Sequence, residues 1–376
     1  MDFKLDEELH ELRSLAAEIF TDRAGVDRVT EVERTHGGFD ADLWQTLAEA
    51  GMVGIGVPEE HDGSGFGMLG LVTLLEQQGR RVAPVPLWAV STLAAQPIAG
   101  FGTDEQQARW LPGLLDGSLL VTGAFESAPG TLAAVRAEPA GSGWRFTGEA
   151  LGVPALSVAD AVVVPAVTDD GRVLVAILPT DRDGVRCTGT EVTGWGSSGI
   201  LKLAEATVDE ADLLVGDGAE IRNWILRRAR VALAGVQVGV CAEALAQTAE
   251  YTSMREQFGR PLSTNQAVAL RAADGYLDTE NTRLTTWRAA WLLDQGREAE
   301  AESAALVAKL WASEAGLRVV HTTQHLHGGI GADIDYPIHR YFLWGRQVAF
   351  TLGSAAATAS ALGDVLPEAP PIGAPA

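Results

Sequence analysis

A short run of residues in the second half of the chain has the types and spacing that suit nucleotide binding. Arg255, Gln257 and Phe258 stand at the end of a long apolar stretch, and Gly259 and Pro261 follow. Glycine accepts the left-handed conformation of a helix C-cap and proline cannot continue a helix, so the sequence predicts a helix end here. A guanidinium at this position could bind a diphosphate, and the aromatic ring could pack on a base. The alternative is an ordinary helix end with a favourable basic residue and a buried phenylalanine.

A glycine-rich segment further along the chain could expose backbone N–H groups to a ligand. Residues 322–341 begin at a predicted helix end and include the adjacent Gly328 and Gly329. Adjacent glycines let the backbone approach a ligand closely. Gln324 and His325, just before them, each carry a donor suited to a phosphate or to adenine. The alternative is a glycine-rich helix C-cap.

The two segments resemble two signatures of the acyl-CoA dehydrogenase family. The helix end resembles its R-x-Q-F-G-x-P motif, and the glycine-rich segment is similar to its Q-x-x-G-G-x-G motif, followed by a Y-P-x-x-R segment at residues 336–340. In this register His325 takes the glutamine position and Gln324 stands one residue earlier. Residues 57–59 and 101–113 are similar to the family's N-terminal helical domain, so the resemblance spans nearly the whole chain.

The resemblance implies the cofactor FAD and a particular use of the two motifs. In acyl-CoA dehydrogenases these motifs reach across a dimer and hold the diphosphate and adenosine of the neighbouring subunit's FAD. We call the residues expected to do this here the FAD clamp: Arg255, Gln257, Phe258, Asn265, Gln266, His325, Leu326, His327, Gly328 and Gly329. The chain is therefore expected to donate an FAD clamp.

The family residues that line the flavin ring are largely missing. The T-E-P-G-x-G-S-D run corresponds to residues 123–131, where Glu126 remains, Phe125 takes the threonine's place and the serine–aspartate pair is absent. Register within the next strand places Gly152 at the tryptophan that stacks on the flavin and Pro154 at the neighbouring hydroxyl residue. Each buried polar group left unpaired by such losses costs about 1–3 kcal/mol.

The general base of the family is missing as well. Dehydrogenation of an acyl-CoA needs a carboxylate that removes the α-proton while the β-hydrogen leaves as hydride. The usual base position reads Leu352 and the less common one reads Ala229, so no catalytic residue is assigned. Residues 346–362 contain no acid, and the acids nearest to Ala229 are Glu220 and Glu243, well over a helical turn away.

A clamp beside an incomplete flavin site suggests a subunit that works with a partner. The chain resembles the base-lacking subunit of actinobacterial α2β2 acyl-CoA dehydrogenases acting on steroid side chains, whose homologous glutamate-bearing subunit holds the flavin ring. This implies α,β-dehydrogenation of an acyl-CoA by the pair, with an electron-transfer acceptor. Two alternatives stay open. One is a self-sufficient homo-oligomer with a relocated base, for which Glu126, Glu220 and Glu243 are candidates, and the other is a non-catalytic assembly module.

Composition limits which partners and which cellular compartment are expected for the chain. The net charge of −22 and pI of about 4.6 argue against nucleic acid or an anionic membrane as partner. Cys187 and Cys241 form no disulfide or metal pattern, and the N-terminus lacks a signal-peptide core. These features predict a cytoplasmic protein. No apolar run is expected to be long enough to span a bilayer.

Three segments must position these residues. Helical periodicity predicts an N-terminal all-α domain over residues 1–117, and β-type runs predict a middle β-barrel-like domain over residues 118–217. These runs lie near residue 121 and at residues 144–146, 161–164, 173–178 and 201–203. Residues 218–366 are predicted to form a C-terminal four-helix bundle, and residues 367–376 a Pro-rich tail. The predicted fold is α+β and acyl-CoA dehydrogenase-like.

Long apolar-periodic stretches define the predicted C-terminal bundle. They cover residues 221–254, 264–293, 298–325 and 342–366. Ser263 or Thr264 is expected to cap the second of these helices, because their hydroxyl groups accept the free amides of a first turn. Ala-rich faces would let the helices pack closely and could support oligomerisation.

Overall fold

The computed structural model describes residues 3–35, 37–126, 132–190, 192 and 197–369. The prediction for the tail falls mostly on residues 370–376, outside this range. The α-helices in the described residues are α1 (Glu7–Arg23), α2 (Val26–Thr35), α3 (Ala41–Glu49), α4 (Gly67–Arg81), α5 (Leu87–Ala89), α6 (Gln96–Phe101), α7 (Asp104–Leu115), α8 (Gly218–Met254), α9 (Gln266–Asp294), α10 (Glu298–His327), α11 (Ile338–Phe350) and α12 (Ala355–Val365). The strands are β1 (Val121–Gly123), β2 (Val135–Ala140), β3 (Gly143–Pro154), β4 (Ala161–Thr168), β5 (Val173–Pro179), β6 (Val185–Thr190), β7 (Ser198–Val208), β8 (Glu256–Gln257) and β9 (Arg260–Pro261).

Helices of the N-terminal and C-terminal parts share one hydrophobic core. The closest approach is between α4 and α8, where glycines remove the side chains that would keep the helices apart. A Cβ added at Gly79 would lie 2.2 Å from the carbonyl oxygen of Val236, and one at Gly239 would lie 2.0 Å from that of Glu76. Backbones this close leave no room for a methyl group, so α8 is held against the N-terminal helices along its buried middle.

A curled seven-stranded sheet with its own core lies between the helical parts in the sequence. The strand order is β1-β4-β2-β3-β7-β6, with β5 paired to the other edge of β4. β1 and β2 both run parallel to β4, and the remaining pairs are antiparallel. The five predicted runs lie in β1, β3, β4, β5 and β7. The structure adds β2 and β6, and the predicted α+β fold is confirmed.

Two details of the predicted bundle are wrong. The amide of Ala267 donates to the side chain of Asn265 at 3.1 Å, so Asn265 caps α9, rather than Ser263 or Thr264. The stretch over residues 342–366 is two helices, because Leu352 has φ +55° after the end of α11. A left-handed residue followed by a glycine that also has positive φ cannot continue an α-helix, and the chain turns before α12.

The expectation that no run is long enough to span a bilayer is also wrong on length and composition. Gly218–Met254 and Ile338–Val365 both meet that test. In the first, 72% of the apolar window is buried within the protein, so α8 is a core helix. In the second only 22% is buried, and the chain turns at Leu352 within it.

Candidate functional site

The helix α8 separates the FAD clamp from the base positions of the same chain. Ala229 is fully buried in its N-terminal half, and Arg255 is an exposed residue directly after its end. The two positions are 26 residues apart, which at a rise of 1.5 Å per residue is about 39 Å. The clamp and the vacated base position at Ala229 therefore lie far apart along one rigid element.

Phe258 sits at the tip of a two-residue hairpin formed by β8 and β9. Gln257 pairs with Arg260, and the two turn residues Phe258 and Gly259 have φ values of +55° and +76°. Positive φ at both positions is the signature of a type I′ turn. The left-handed conformation costs a non-glycine residue roughly 1–2 kcal/mol. This strained turn leaves the Phe258 ring 95% exposed, so the alternative of a buried phenylalanine at a helix end is wrong.

Aromatic stacking joins the two clamp motifs. The His327 ring stacks on Tyr251, with centroids 4.5 Å apart, and the Tyr251 hydroxyl donates to the carbonyl oxygen of His327 at 3.3 Å. Tyr336 packs against both rings. His327 was predicted as a clamp residue, but its side chain is buried, and burial lowers its pKa. The structure therefore places this ring beneath the clamp surface as a support.

Side-chain contacts distinguish the two candidates for the glutamine position. Gln324 donates to the carbonyl oxygen of Gly331 at 3.0 Å, inside its own turn. The exposed ring of His325 contacts the guanidinium of Arg271 on α9. Of the two, His325 is therefore the side chain that faces solvent.

The other predicted clamp residues also lie at this end of the bundle. The carbonyl oxygen of Arg255 accepts the amide of Leu262 at 2.9 Å, which ties the hairpin back to the start of α9. The structure shows no hydrogen bond or ion pair for the Arg255 side chain among the described residues. The remaining members are exposed, apart from the half-buried Leu326; they are Gln257, Asn265, Gln266, Gly328 and Gly329. The clamp residues thus form one exposed surface around the hairpin, with His327 beneath it.

Away from the clamp, after the end of α11, a carboxylate reaches the usual base position. The Leu352 amide donates to Oε1 of Glu126 at 2.5 Å, and a Cβ added at Gly152 would lie 3.8 Å from Cγ of Glu126. The sequence expectation that no acid lies near Leu352 is therefore wrong, because the acid comes from a segment 226 residues away. Burial raises the pKa of Glu126, although its hydrogen bond to Leu352 opposes the shift. Residues 127–131 of the corresponding family run lie outside the described residues.

Two cations share this region with Glu126. Lys309 is fully buried and donates to the carbonyl oxygens of Val348 and Ala349 at 2.8 and 3.3 Å, at the end of α11. Arg230, next to Ala229, also lies in this charged neighbourhood. Burial is the main cause that lowers the pKa of Lys309 to about 7 and the pKa of Arg230 to about 10.

The other two acids considered for a relocated base lie elsewhere. Glu220 is exposed in the first turn of α8. Glu243 forms ion pairs with Arg80 and Arg81, at 3.5 and 3.9 Å. Glu126 is therefore the one of the three that reaches a base position.

The space beside the vacated flavin residues is small. A cavity of about 40 Å³ is lined in part by Gly152 and Pro154 and by two large indoles, Trp88 and Trp344. This volume holds roughly three water molecules, far less than a three-ring flavin. A wider groove of about 610 Å³ shares Trp344, Ser197 and Ser198 with this cavity and is also lined by Arg340. Gly152 and Pro154, at the family's flavin-stacking and hydroxyl positions, offer neither an aromatic wall nor a hydroxyl group to an isoalloxazine ring, whereas the exposed clamp suits the nucleotide part of FAD.

The comparisons with known proteins identify the family. Residues 6–118 match the model of the acyl-CoA dehydrogenase N-terminal domain, and residues 216–366 match that of the C-terminal domain. The chain belongs to the acyl-CoA dehydrogenase family, whose members are FAD-dependent oxidoreductases acting on a CH–CH bond of acyl-CoA.

Similar proteins include one curated relative and two solved complexes. Acyl-CoA dehydrogenase FadE27 of Mycobacterium tuberculosis is 37% identical, over 98% of this chain and 100% of the relative. The ChsE4-ChsE5 complex from Mycobacterium tuberculosis contains a chain that is 38% identical with a TM-score of 0.92, over 98% of this chain and 100% of that one. A variant of the Tcur3481-Tcur3483 steroid ACAD contains a chain that is 45% identical with a TM-score of 0.90, over 96% and 98%.

Proposed function

We propose that this chain is the base-lacking subunit of a heteromeric acyl-CoA dehydrogenase and donates the FAD clamp to a homologous, glutamate-bearing partner. The observation that carries this proposal is the Phe258 ring, 95% exposed on a strained turn. That turn lies about 39 Å along α8 from the chain's own base position at Ala229. A large aromatic ring held in solvent at the cost of backbone strain suits a surface completed by another molecule.

Each part of the clamp surface has a role in this proposal. The guanidinium of Arg255 pairs with the diphosphate, and the ring of Phe258 packs on the adenine. The exposed backbone at Gly328 and Gly329 approaches the same nucleotide, with a donor from His325 beside it. When bound, FAD supplies the hydride acceptor for acyl-CoA oxidation. This chain contributes affinity and orientation, and the partner supplies the carboxylate that removes the proton.

The names of the similar complexes support a substrate class. One solved relative is a pair named as a steroid ACAD, and the ChsE4-ChsE5 complex is also a pair of chains. We therefore propose a steroid acyl-CoA as substrate, an α2β2 assembly and an electron-transfer acceptor. Free thiols at Cys187 and Cys241 suit the cytoplasm. The division into domains at residues 117 and 217 remains part of this proposal.

Flavin content tests the clamp. Expressed alone, the chain should lack stoichiometric flavin, and co-expression with a glutamate-bearing family member should give a yellow complex that oxidises acyl-CoA. Phe258→Ala should lower the flavin bound per complex, whereas Val215→Ala, at another exposed apolar residue, should not. Stoichiometric flavin and dehydrogenase activity in the lone chain would overturn the proposal.

A second candidate function is favoured by one contact. Glu126 lies at the usual base position through its hydrogen bond with the Leu352 amide, so a self-sufficient homo-oligomer could use it as a relocated base. This candidate predicts activity in the lone chain that Glu126→Gln abolishes while flavin content is kept. An inactive lone chain that becomes active with the partner, and stays active with Glu126→Gln, would exclude it.

A further inference from the structure

The first two thirds of α9 have small side chains on the face that packs against the protein. Between residues 266 and 286 the buried residues of this helix are Gly275, Thr279, Thr282 and Thr286. The three threonine hydroxyl groups donate to carbonyl oxygens four residues earlier, within the helix itself. A surface helix normally turns its large apolar residues to the core and its polar residues to water. Here the inner face holds glycine and threonine instead.

The large apolar residues of the same segment lie on the opposite face. Leu270, Leu277 and Leu284 are 58%, 59% and 41% exposed. At 3.6 residues per turn, a spacing of seven residues places them on one line along the helix, roughly opposite the buried residues. We call these three leucines the α9 stripe; it is about 21 Å long. Single exposed leucines are ordinary, but an apolar repeat of seven residues is the pattern on which a second helix packs.

The α9 stripe continues the surface of the FAD clamp. Gln266, a clamp residue, is exposed four residues before Leu270, so the two side chains lie on the same side of the helix. Phe258, in the hairpin before α9, is the most exposed of the large apolar residues in the described part of the chain. In the proposed function, the FAD held at this end of α9 belongs to another subunit. The protein that surrounds that FAD therefore has to lie over the neighbouring part of α9.

We infer that the α9 stripe is the docking face for a helical segment of the glutamate-bearing partner subunit. The inference rests on the proposed function, because the clamp indicates which molecule lies beside the stripe. Removing the three leucines from water favours association, and this contribution does not depend on the flavin. The two surfaces therefore have separate roles. The α9 stripe holds the subunits together, and the clamp holds the nucleotide.

Co-expression with a glutamate-bearing family member, followed by analytical ultracentrifugation, tests this separation. The double variant Leu277→Glu, Leu284→Glu should bind the partner at least about tenfold more weakly, because assembly would bury two carboxylates without counter-ions. Leu15→Glu, at a leucine of α1 that is 47% exposed, is the matched control and should assemble like the wild type. Phe258→Ala should keep the pair while its flavin content falls.

Thermal denaturation of the lone chain shows whether the double variant folds. It should melt with the wild type, because the leucines are exposed before assembly; a large loss of stability would mean that they support the chain's own fold, and would overturn the inference. A double variant that pairs as tightly as the wild type would overturn the inference and leave the proposed function intact. Homodimers of the wild type that the double variant cannot form would make the occupant a second copy, which also contradicts it. A wild type that pairs with no glutamate-bearing member would overturn the proposed function, and the inference with it.

Discussion

Replacing Lys309 with methionine tests how far the buried ammonium group lowers the free energy of unfolding near neutral pH. Burial lowers the pKa of Lys309 from 10.5 to about 7. The unfolded chain therefore binds one more proton than the folded chain between these two values, and the free energy of unfolding must rise with pH across that window. At 1.36 kcal/mol per unit the whole window amounts to about 5 kcal/mol, of which about 2 kcal/mol falls between pH 7 and pH 9.

Urea denaturation followed by tryptophan fluorescence at several pH values measures this effect. Between pH 7 and pH 9 the wild type should gain about 2 kcal/mol relative to Lys309→Met, because the variant has no proton to release. Lys202→Met, at an exposed lysine on β7, is the matched control and should keep the slope of the wild type. Parallel pH profiles for the wild type and Lys309→Met would refute the reasoning, since they would mean that Lys309 titrates alike in both states.

Three further predictions concern packing, capping and the carboxylate at the base position. Gly239→Ala should destabilise the chain by about 2–3 kcal/mol, because its Cβ would lie 2.0 Å from the carbonyl oxygen of Glu76. Gly363→Ala is the control and should not destabilise the chain, because the space around Gly363 is open. Equal melting temperatures for the two variants would contradict the packing argument. Asp294→Ala should cost about 1–2 kcal/mol, since this carboxylate accepts the first-turn amides of Met68 and Leu69 in α4 at 2.6 and 2.9 Å, and Asp294→Asn should recover part of the loss in the same melting assay. Burial raises the pKa of Glu126, so the folded chain holds this proton more tightly than the unfolded chain, and the stability that this contributes is lost as pH rises through the raised pKa. Glu126→Gln keeps a side-chain oxygen for the Leu352 amide and should unfold within about 1 kcal/mol of the wild type, while Glu126→Ala should lose about 2 kcal/mol by leaving that amide unpaired; equal losses in urea denaturation would contradict this.

Secondary structure was predictable where one physical signal covers many residues. The stretch that became α8 carries apolar residues at helical spacing along its length, and Asp217 caps it at 2.9 and 3.0 Å from two first-turn amides. β6 is different, because four of its six residues are exposed and its interior carries no apolar alternation. Its strand conformation comes from pairing with β7, and such pairing leaves no mark on the local sequence.

The residue types of the clamp could be predicted from the sequence, but the backbone conformation and the exposure of Phe258 could not. The pattern around Arg255 indicates a helix end and a turn, and the structure has both. Nothing in the sequence indicates that Phe258 rather than a glycine occupies a left-handed position, or that its ring faces solvent. The I′ turn forces that conformation on Phe258, so its exposure follows from the backbone rather than from the residue's own preference.

The charged cluster at the base position escaped prediction because its members are far apart in the chain. Glu126 and Leu352 are separated by 226 residues, so the sequence around Leu352 carries no sign of this acid. Arg230 is one of several arginines in a short run of the sequence, and no pattern shows which of them lie near Glu126 in the fold. One signal was available, since Gly152 at the former tryptophan position leaves space that a neighbouring side chain could enter, and Glu126 lies beside it.

The two ends of α8 can change independently because they are held by different contacts. The clamp end rests on the stack of Tyr251, His327 and Tyr336, none of which lies near Ala229. The base positions rest on buried charges, with Glu126 bonded to the Leu352 amide after α11 and Lys309 bonded to the Val348 carbonyl oxygen in the last turn of α11. Loss of a base at Leu352 therefore removes no contact that supports the hairpin. An enzyme divided between two chains needs this separation, because one chain must lose its own chemistry without losing the surface that completes the other.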